Sequence, residues 1–497
     1  MLSILLVLPL LSMLTISLLN SARSILLVAL VYSILSLLHT YNLMLLFDSE
    51  SSSLFQMQST GPIEGLLAID GISLWLIWLV NMLMPIVILS VYKSVAGLNV
   101  NVVSSRVSDE GIMASSIKQM LILLIFIGFW SVAVFLVQNI LLFYISFEGA
   151  LIPMYFLILH YGSRNKKIHA SYMFFIYTLA GSLCLFLALL GLYLENGTGD
   201  YQILLMNRNS IEPTSYELIL WMAFFICFSI KLPIIGFHGW LLAAHVEAPT
   251  SASVILAAIL LKMGSYGLIR YNIPLFPFAT EYFRPFVVVL CVLGILYSSI
   301  AALSQSDMKI IIAYSSIGHM GTATLGLFSN DYLGIMGSLY FLISHGLISA
   351  GLFLLVGVIY DRYHTRNIMY YRGLVQAYPI YVLLLLVFSM ANSAVPGTSG
   401  FAGEFLSLLG AFNLNPFVAI LAALSVVMVP AFMLRLLHSI SYGEFTKYMP
   451  VVTSDVSAKE LAMFLPLVFF TMLLGIYPEM MLQDVLEASI NLTSSIS

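Results

Sequence analysis

The sequence predicts an all-α polytopic membrane protein of about 14 transmembrane helices, and three observations carry that reading. Only 8 % of its 497 residues are charged while 61 % are hydrophobic, whereas a soluble domain needs roughly a quarter charged to cover its surface. The mean hydropathy is +1.03. Stretches long enough to cross a hydrocarbon core of about 30 Å as helix, roughly twenty apolar residues, recur with only short polar breaks. The alternating segments of about ten residues that build a closed β-barrel are absent.

In chain order the predicted spans are 2–20, 24–47, 71–92, 117–137, 139–160, 168–194, 217–237, 251–270, 284–303, 307–328, 332–360, 378–410, 415–440 and 461–480. The twelfth is too long for one simple crossing and contains Pro396-Gly397, so it is read as one broken helix. Loop charge tests the count, because the number of crossings decides which loops share a side. Arg23, Lys93, Arg106, Lys118, Arg164, Lys166, Lys167, Lys309, Arg362, Arg366, Arg372, Lys447 and Lys459 follow odd-numbered spans, whereas only Arg208, Arg270 and Arg284 follow even-numbered ones. This asymmetry fits fourteen crossings with both termini on the less basic, outer side. Lys231, Lys262 and Arg435 fall inside spans.

A helix from Met1 with no basic n-region and no small-residue cleavage site is not expected to be a removable signal; it suits a bacterial membrane protein or one made inside an organelle. Cys184, Cys227 and Cys291 lie far apart inside spans and form no metal-ligand pattern, which makes disulfide and iron–sulfur roles poor readings. There is no GxGxxG after a strand and no P-loop, so neither redox chemistry nor a cofactor, metal or nucleic acid is expected of this chain. Asn196-Gly-Thr and Asn491-Leu-Thr match the glycosylation sequon, a pattern short enough to arise by chance.

An ionisable side chain in mid-membrane costs about 2.5–3.5 kcal/mol, so Glu148, Lys231, Lys262 and Glu404, all deep in their spans, are functional candidates. His319 joins them on a helical stripe with Ser315 and Thr322, and His345 on a stripe with Ser338 and Ser349. Either stripe could hold water; the blander role of such hydroxyls is to satisfy backbone carbonyls in close-packed helices. Six such residues on six different helices favour a joint function over the bland one.

Two of the candidates lie beside helix breakers. Pro233 cannot donate to the carbonyl of Ser229, and Pro396, shortly before Glu404, cannot donate to that of Asn392. Gly236 loosens the turn after Lys231. The two interrupted spans are five crossings apart, an odd offset that points to inverted repeats around a mid-membrane ion site.

The runs KLPIIGFHGWLLAAHVEAPTSASVILAAILLKMGSYGLIRY (231–271), DMKIIIAYSSIGHMG (307–321), SHGLISAGLF (344–353), YDRYHTR (360–366) and PGTSGFAGEF (396–405) closely resemble the NADH dehydrogenase subunit 4 and subunit M family. FEGALIPMYF (147–156) and AIDGISLWL (68–76) agree. These are the antiporter-like, proton-pumping membrane subunits of respiratory complex I. The resemblance implies three leading helices in 1–110, a first five-helix repeat in 111–275, an inverted second repeat in 280–445, and a last helix and tail in 446–497. It carries a switching pair onto Glu148 and Lys231, a connecting lysine onto Lys262, axis histidines onto His319 and His345, and a terminal acid onto Glu404. It also implies a part of an NADH:ubiquinone reductase with no redox site of its own. FMN, iron–sulfur clusters and ubiquinone would belong to partner subunits. Neighbouring antiporter-like subunits, accessory subunits and lipids such as cardiolipin are the partners it implies, in the mitochondrial inner membrane or, alternatively, a bacterial plasma membrane. A subunit of a sodium/proton antiporter and a non-transporting scaffold are the competing readings. Trp240-Leu-Leu-Ala-Ala-His245 lacks the proline and the charge usual in the family there, and Arg435 stands where an uncharged residue is expected.

Overall fold

The computed structural model describes residues 1–49, 55–59, 65–100, 109–207, 215–444 and 455–496. Arg106, Arg208 and Lys447 of the loop-charge comparison lie outside the described residues. Among the described residues, eleven helices are long and apolar enough to cross a membrane. Adding Leu2–Leu18 and two interrupted spans, Ser215–Lys231 with Gly239–Glu247 and Pro379–Asn392 with Ser399–Leu414, gives fourteen spans among the described residues. The only strands among the described residues are Met57–Gln58 and Ala68–Ile69, paired antiparallel.

Local chemistry fixes the helix ends. Asn139, Asp307, Asp331 and Asn415 accept backbone N–H groups as N-caps, and Ser457 with Glu460 forms a reciprocal capping box. Gly197 stops span 6 in the left-handed conformation, φ 67°. Lys118 lies within the helix Asp109–Leu136, not in a loop, and its ammonium donates to the carbonyls of Ser17 and Leu19 at the end of the first span.

The interruption of span 7 begins at Lys231, and Gly236 (φ 95°) in span 7 matches Gly397 (φ 91°) in span 12. The carbonyl of Ser229, expected to be freed by Pro233, instead accepts the Ile234 N–H at 3.0 Å. The indole of Trp240 reaches back to the Ile230 carbonyl at 2.8 Å. The sequence places the end of this span at 237, but residues 239–247 form its second half, a largely apolar, proline-free run that resumes the helix after the interruption.

Three other features depart from the expectation. Span 5 is divided at Ala150 into Ile140–Gly149 and Leu151–Tyr161, since Pro153 offers no N–H to the Gly149 carbonyl. Span 8, Thr250–Leu275, carries π-helical segments at Leu256–Leu260 and Leu268–Asn272. The last span closes at Ile476 instead of 480, and a further amphipathic helix, Glu479–Ile496, packs against spans 11 and 3. Lys309, Arg270 and Arg284, counted above as loop charges, all lie within helices.

Spans 8 and 11 are wholly enclosed by protein, and spans 3 and 10 nearly so, while spans 2, 13 and 14 keep most of their apolar surface outward. Helices approach closely where glycine permits. A Cβ at Gly264 would meet the Lys231 Cβ at 3.0 Å, so spans 7 and 8 touch two residues from Lys262. A Cβ at Gly403 would lie 2.6 Å from the Phe341 Cα, which sets Glu404 against span 11.

Candidate functional site

Five of the six expected residues are enclosed in the protein: Lys231, Lys262, His319, His345 and Glu404 are all at most 4 % exposed. Glu148 is half-buried at the break in span 5, with Oε1 buried and unpartnered. It does not close a pair with Lys231 among the ion contacts within 4.0 Å. The Lys231 ammonium instead lies 4.7 Å from the ring centroid of Phe147, the residue next to Glu148.

The centre of the row is directly bonded. The Lys262 ammonium donates to the Ala257 carbonyl at 2.8 Å, and its other contact is His345 Nδ1 at 2.9 Å. Ala257 lies in the first π-helical segment, where the widened turn leaves a carbonyl five residues back for the side chain. His345 Nε2 meets Ser316 Oγ at 3.1 Å. When Lys262 is protonated it has only protons to give, so Nδ1 accepts and the other ring nitrogen carries the proton toward Ser316. The His319 ring follows, its centroid 5.7 Å from that of His345.

His319 and Glu404 line one small cavity with Ser298, Ser299, Tyr314, Ser315, Thr322 and Ser425. It gives about 10 Å³ to a water centre, about the space of a single molecule. Glu404 Oε1 accepts from Ser425 at 3.2 Å, and His319 Nε2 is buried without a partner. Ser315 and Thr322 each donate to a backbone carbonyl, as the bland reading holds, and still offer lone pairs to the cavity. Ser338 and Ser349 also donate to their own helix; the hydroxyl that serves His345 is Ser316, outside the expected stripe.

A second polar cluster, not singled out from the sequence, occupies the basic side below this row. Lys309, 3 % exposed, donates to the Ala248 carbonyl at 2.7 Å and to Ser253 at 3.1 Å. His245 stacks on Phe353 at 4.6 Å with both ring nitrogens buried and unpartnered, and Glu247 Oε2 and Ser251 Oγ are unpartnered too. Arg366 donates to the Val246 carbonyl and lies 3.9 Å from Asp307; burial pulls its pKa down while that carboxylate raises it. Buried polar atoms in such number call for ordered water. The sequence signal for this cluster was slight: His245, Glu247, Ser251 and Ser253 stand close together around the junction of spans 7 and 8. Arg435 sits on an exposed face of span 13.

Residues 137–429 match the family model described as NADH:quinone oxidoreductase/Mrp antiporter, TM. The chain is similar to NADH-ubiquinone oxidoreductase chain 4 of Marchantia polymorpha, 41 % identical over 97 % of this chain and 94 % of that one. It is also similar to NADH-quinone oxidoreductase subunit M of Rhodobacter capsulatus, 39 % identical over 91 % of this chain and 87 % of that one. Among solved structures, a chain of respiratory complex I from Thermus thermophilus with bound NADH superposes with a TM-score of 0.83 at 28 % identity, covering 100 % of both chains.

Proposed function

The chain belongs to the NADH:quinone oxidoreductase/Mrp antiporter family, in its complex I chain 4 and subunit M branch, and from that premise we propose that the buried row moves protons in the order Lys231, Lys262, His345, His319, Glu404. It is a multi-pass, antiporter-like membrane subunit of an NADH:quinone oxidoreductase. The relatives at 41 % and 39 % identity are complex I chains, which favours this over a sodium/proton antiporter subunit.

The observation that carries the relay is the Lys262–His345 contact at 2.9 Å, joining spans 8 and 11 through two groups that both exchange protons. Opposite charge within about 4–6 Å typically moves a pKa by 1–3 units, so closing or opening Glu148–Lys231 alters how firmly Lys231 holds its proton. Displacing one charge through 100 mV costs about 2.3 kcal/mol, a change of the same size. The Lys309–His245–Glu247 cluster supports proton uptake from the basic side, since it combines titratable groups with unpartnered sites for water.

The repeats are proposed at 111–275 and 280–445, supported by the matching glycine conformations at 236 and 397. FMN, iron–sulfur clusters and ubiquinone are assigned to partner subunits, and no cofactor to this chain. Neighbouring antiporter-like subunits, accessory subunits and cardiolipin are the proposed contacts, and the mitochondrial inner membrane the proposed location. Replacing Lys262 by Met tests the relay. Proton pumping should be lost while the complex still assembles on native gels; a variant that pumps normally, or that loses assembly alone, overturns the relay.

A further inference from the structure

Two buried polar atoms of opposite kind stand without partners near the break in span 5. Trp130 Nε1 is a donor with no acceptor, and Glu148 Oε1 an acceptor with no donor. Trp130 belongs to span 4, and its ring packs against Gly149, the residue after the glutamate. A Cβ at Gly149 would lie 2.4 Å from both Cδ2 and Cε2 of that ring. Cε2 is bonded to Nε1, so the indole nitrogen sits one bond from this contact. Phe126 and Phe129 hold the ring from its own helix, with centroids 5.6 and 5.0 Å away. Around the carboxylate stand Lys231 and Cys227 of span 7, Tyr144 one turn back on its own helix, and Ser182 of span 6, a hydroxyl within hydrogen-bonding reach of the carboxylate whose own proton goes to the Leu179 carbonyl at 3.0 Å.

We propose that the Trp130 indole N–H is the second partner of the Glu148 carboxylate, taken when the carboxylate leaves Lys231, so that Trp130 is a positioning residue for the switch. This rests on the relay reading. A carboxylate that parts from its counter-ion inside a membrane needs another donor, because an unsatisfied buried charge is far costlier than a hydrogen-bonded one. An indole N–H is a donor only and cannot take the proton, so it holds the carboxylate without discharging it. Gly149 is the residue that admits the ring; any larger side chain displaces it.

The test uses the intact complex in proteoliposomes. In Trp130→Phe, which keeps an aromatic ring and loses the donor, NADH-driven proton transport should fall at least threefold with assembly unchanged. Trp130→His, which restores an N–H, should recover at least half of the wild-type rate, and Gly149→Ala should copy the loss. In a Glu148→Gln background, Trp130→Phe should add nothing. Wild-type transport in Trp130→Phe, no recovery with His, or an equal further loss in the Glu148→Gln background overturns the proposal. A Glu148→Gln complex that pumps normally sinks the relay itself, which separates the two failures.

Discussion

Replacing Glu404 by Gln removes the titrating group at the end of the row while leaving almost everything else in place. The side chain is 4 % exposed, accepts one hydrogen bond from Ser425 at 3.2 Å, and faces a cavity with space for about one water. Gln has the same length and keeps an acceptor for Ser425, so packing should change little and assembly should survive. The transferred proton, however, loses its resting place beyond His319 and must sit on that ring or on water. Holding a charge there uncompensated costs about 2.5–3.5 kcal/mol, which at 1.36 kcal/mol per tenfold is a slowing of roughly 70- to 400-fold. Proton transport by reconstituted complex, measured by a pH-sensitive dye against NADH oxidation, reads the loss. Glu404→Asp, which retains a carboxyl at shorter reach, should fall between the two. Transport by the Gln variant within threefold of wild type, in fully assembled complex, would refute the reasoning.

The outer end of span 8 is pinned by a buried ion pair between Arg270 and Asp70, with Arg270 also lying over Phe55 at 4.9 Å and Tyr266 at 5.4 Å. Removing one member, Asp70→Leu or Arg270→Met, should destabilise the subunit by about 3–5 kcal/mol, whereas changing both should restore much of it; thermal melting of solubilised complex compares the three, and equal losses would count against the pair. The amphipathic helix Glu479–Ile496 is tied down by Trp75, whose indole donates to Asp484 Oδ2 at 3.0 Å. Burial raises the Asp484 pKa above 3.8 against the lowering effect of that bond. A raised carboxyl pKa contributes stability that is present at low pH and lost as pH rises through the folded-state value. Protection of this helix from proteolysis should therefore decline as pH rises through that region in wild type and stay flat in Asp484→Asn.

Much of the fold was legible because bilayers are strict. Helices must satisfy their own backbone, so span-length apolar runs and loop charge gave the crossings, and Pro with Gly marked the breaks in spans 7 and 12. The break in span 5 had a signal as well, Pro153, yet a single proline inside an apolar run reads equally as a kink. The π-helical segments of span 8 had none, because they leave hydropathy unchanged. Glu479–Ile496 was missed because a search for span-length apolar runs passes over a helix that lies against others with a polar face. The six site residues stood out through their cost in lipid, but their order did not. Nothing in periodicity says that Lys262 meets His345 and not His319, or that Ser316 serves it. The Lys309 cluster was hidden by the same rule that gave the topology, since a lysine near a span end is ordinarily a topogenic charge.

The position of the row along its helices bears on where energy is used. Lys262 is the thirteenth of 26 residues in span 8, and His345 the fourteenth of 32 in span 11. Lys231 ends the first half of span 7, Glu404 is the sixth residue of the second half of span 12, and His319 is near the centre of span 10. On the proposed relay, a row that runs through the middle parts of these spans moves a proton mainly across the membrane plane, so the transfers between its members cross little of the transmembrane potential. In that proposal voltage acts on the two remaining legs, uptake past Lys309 and His245 and release beyond Glu404. With about 2.3 kcal/mol per 100 mV for a full crossing, each leg bears roughly half. Transfer along the row need only be reversible and fast, which suits neighbours of similar proton affinity, whereas the two legs must not conduct at once. That requirement falls on the ends of the row, at Glu148–Lys231 and at Glu404, where the helices are broken, rather than on Lys262 and His345, where spans 8 and 11 are wholly enclosed.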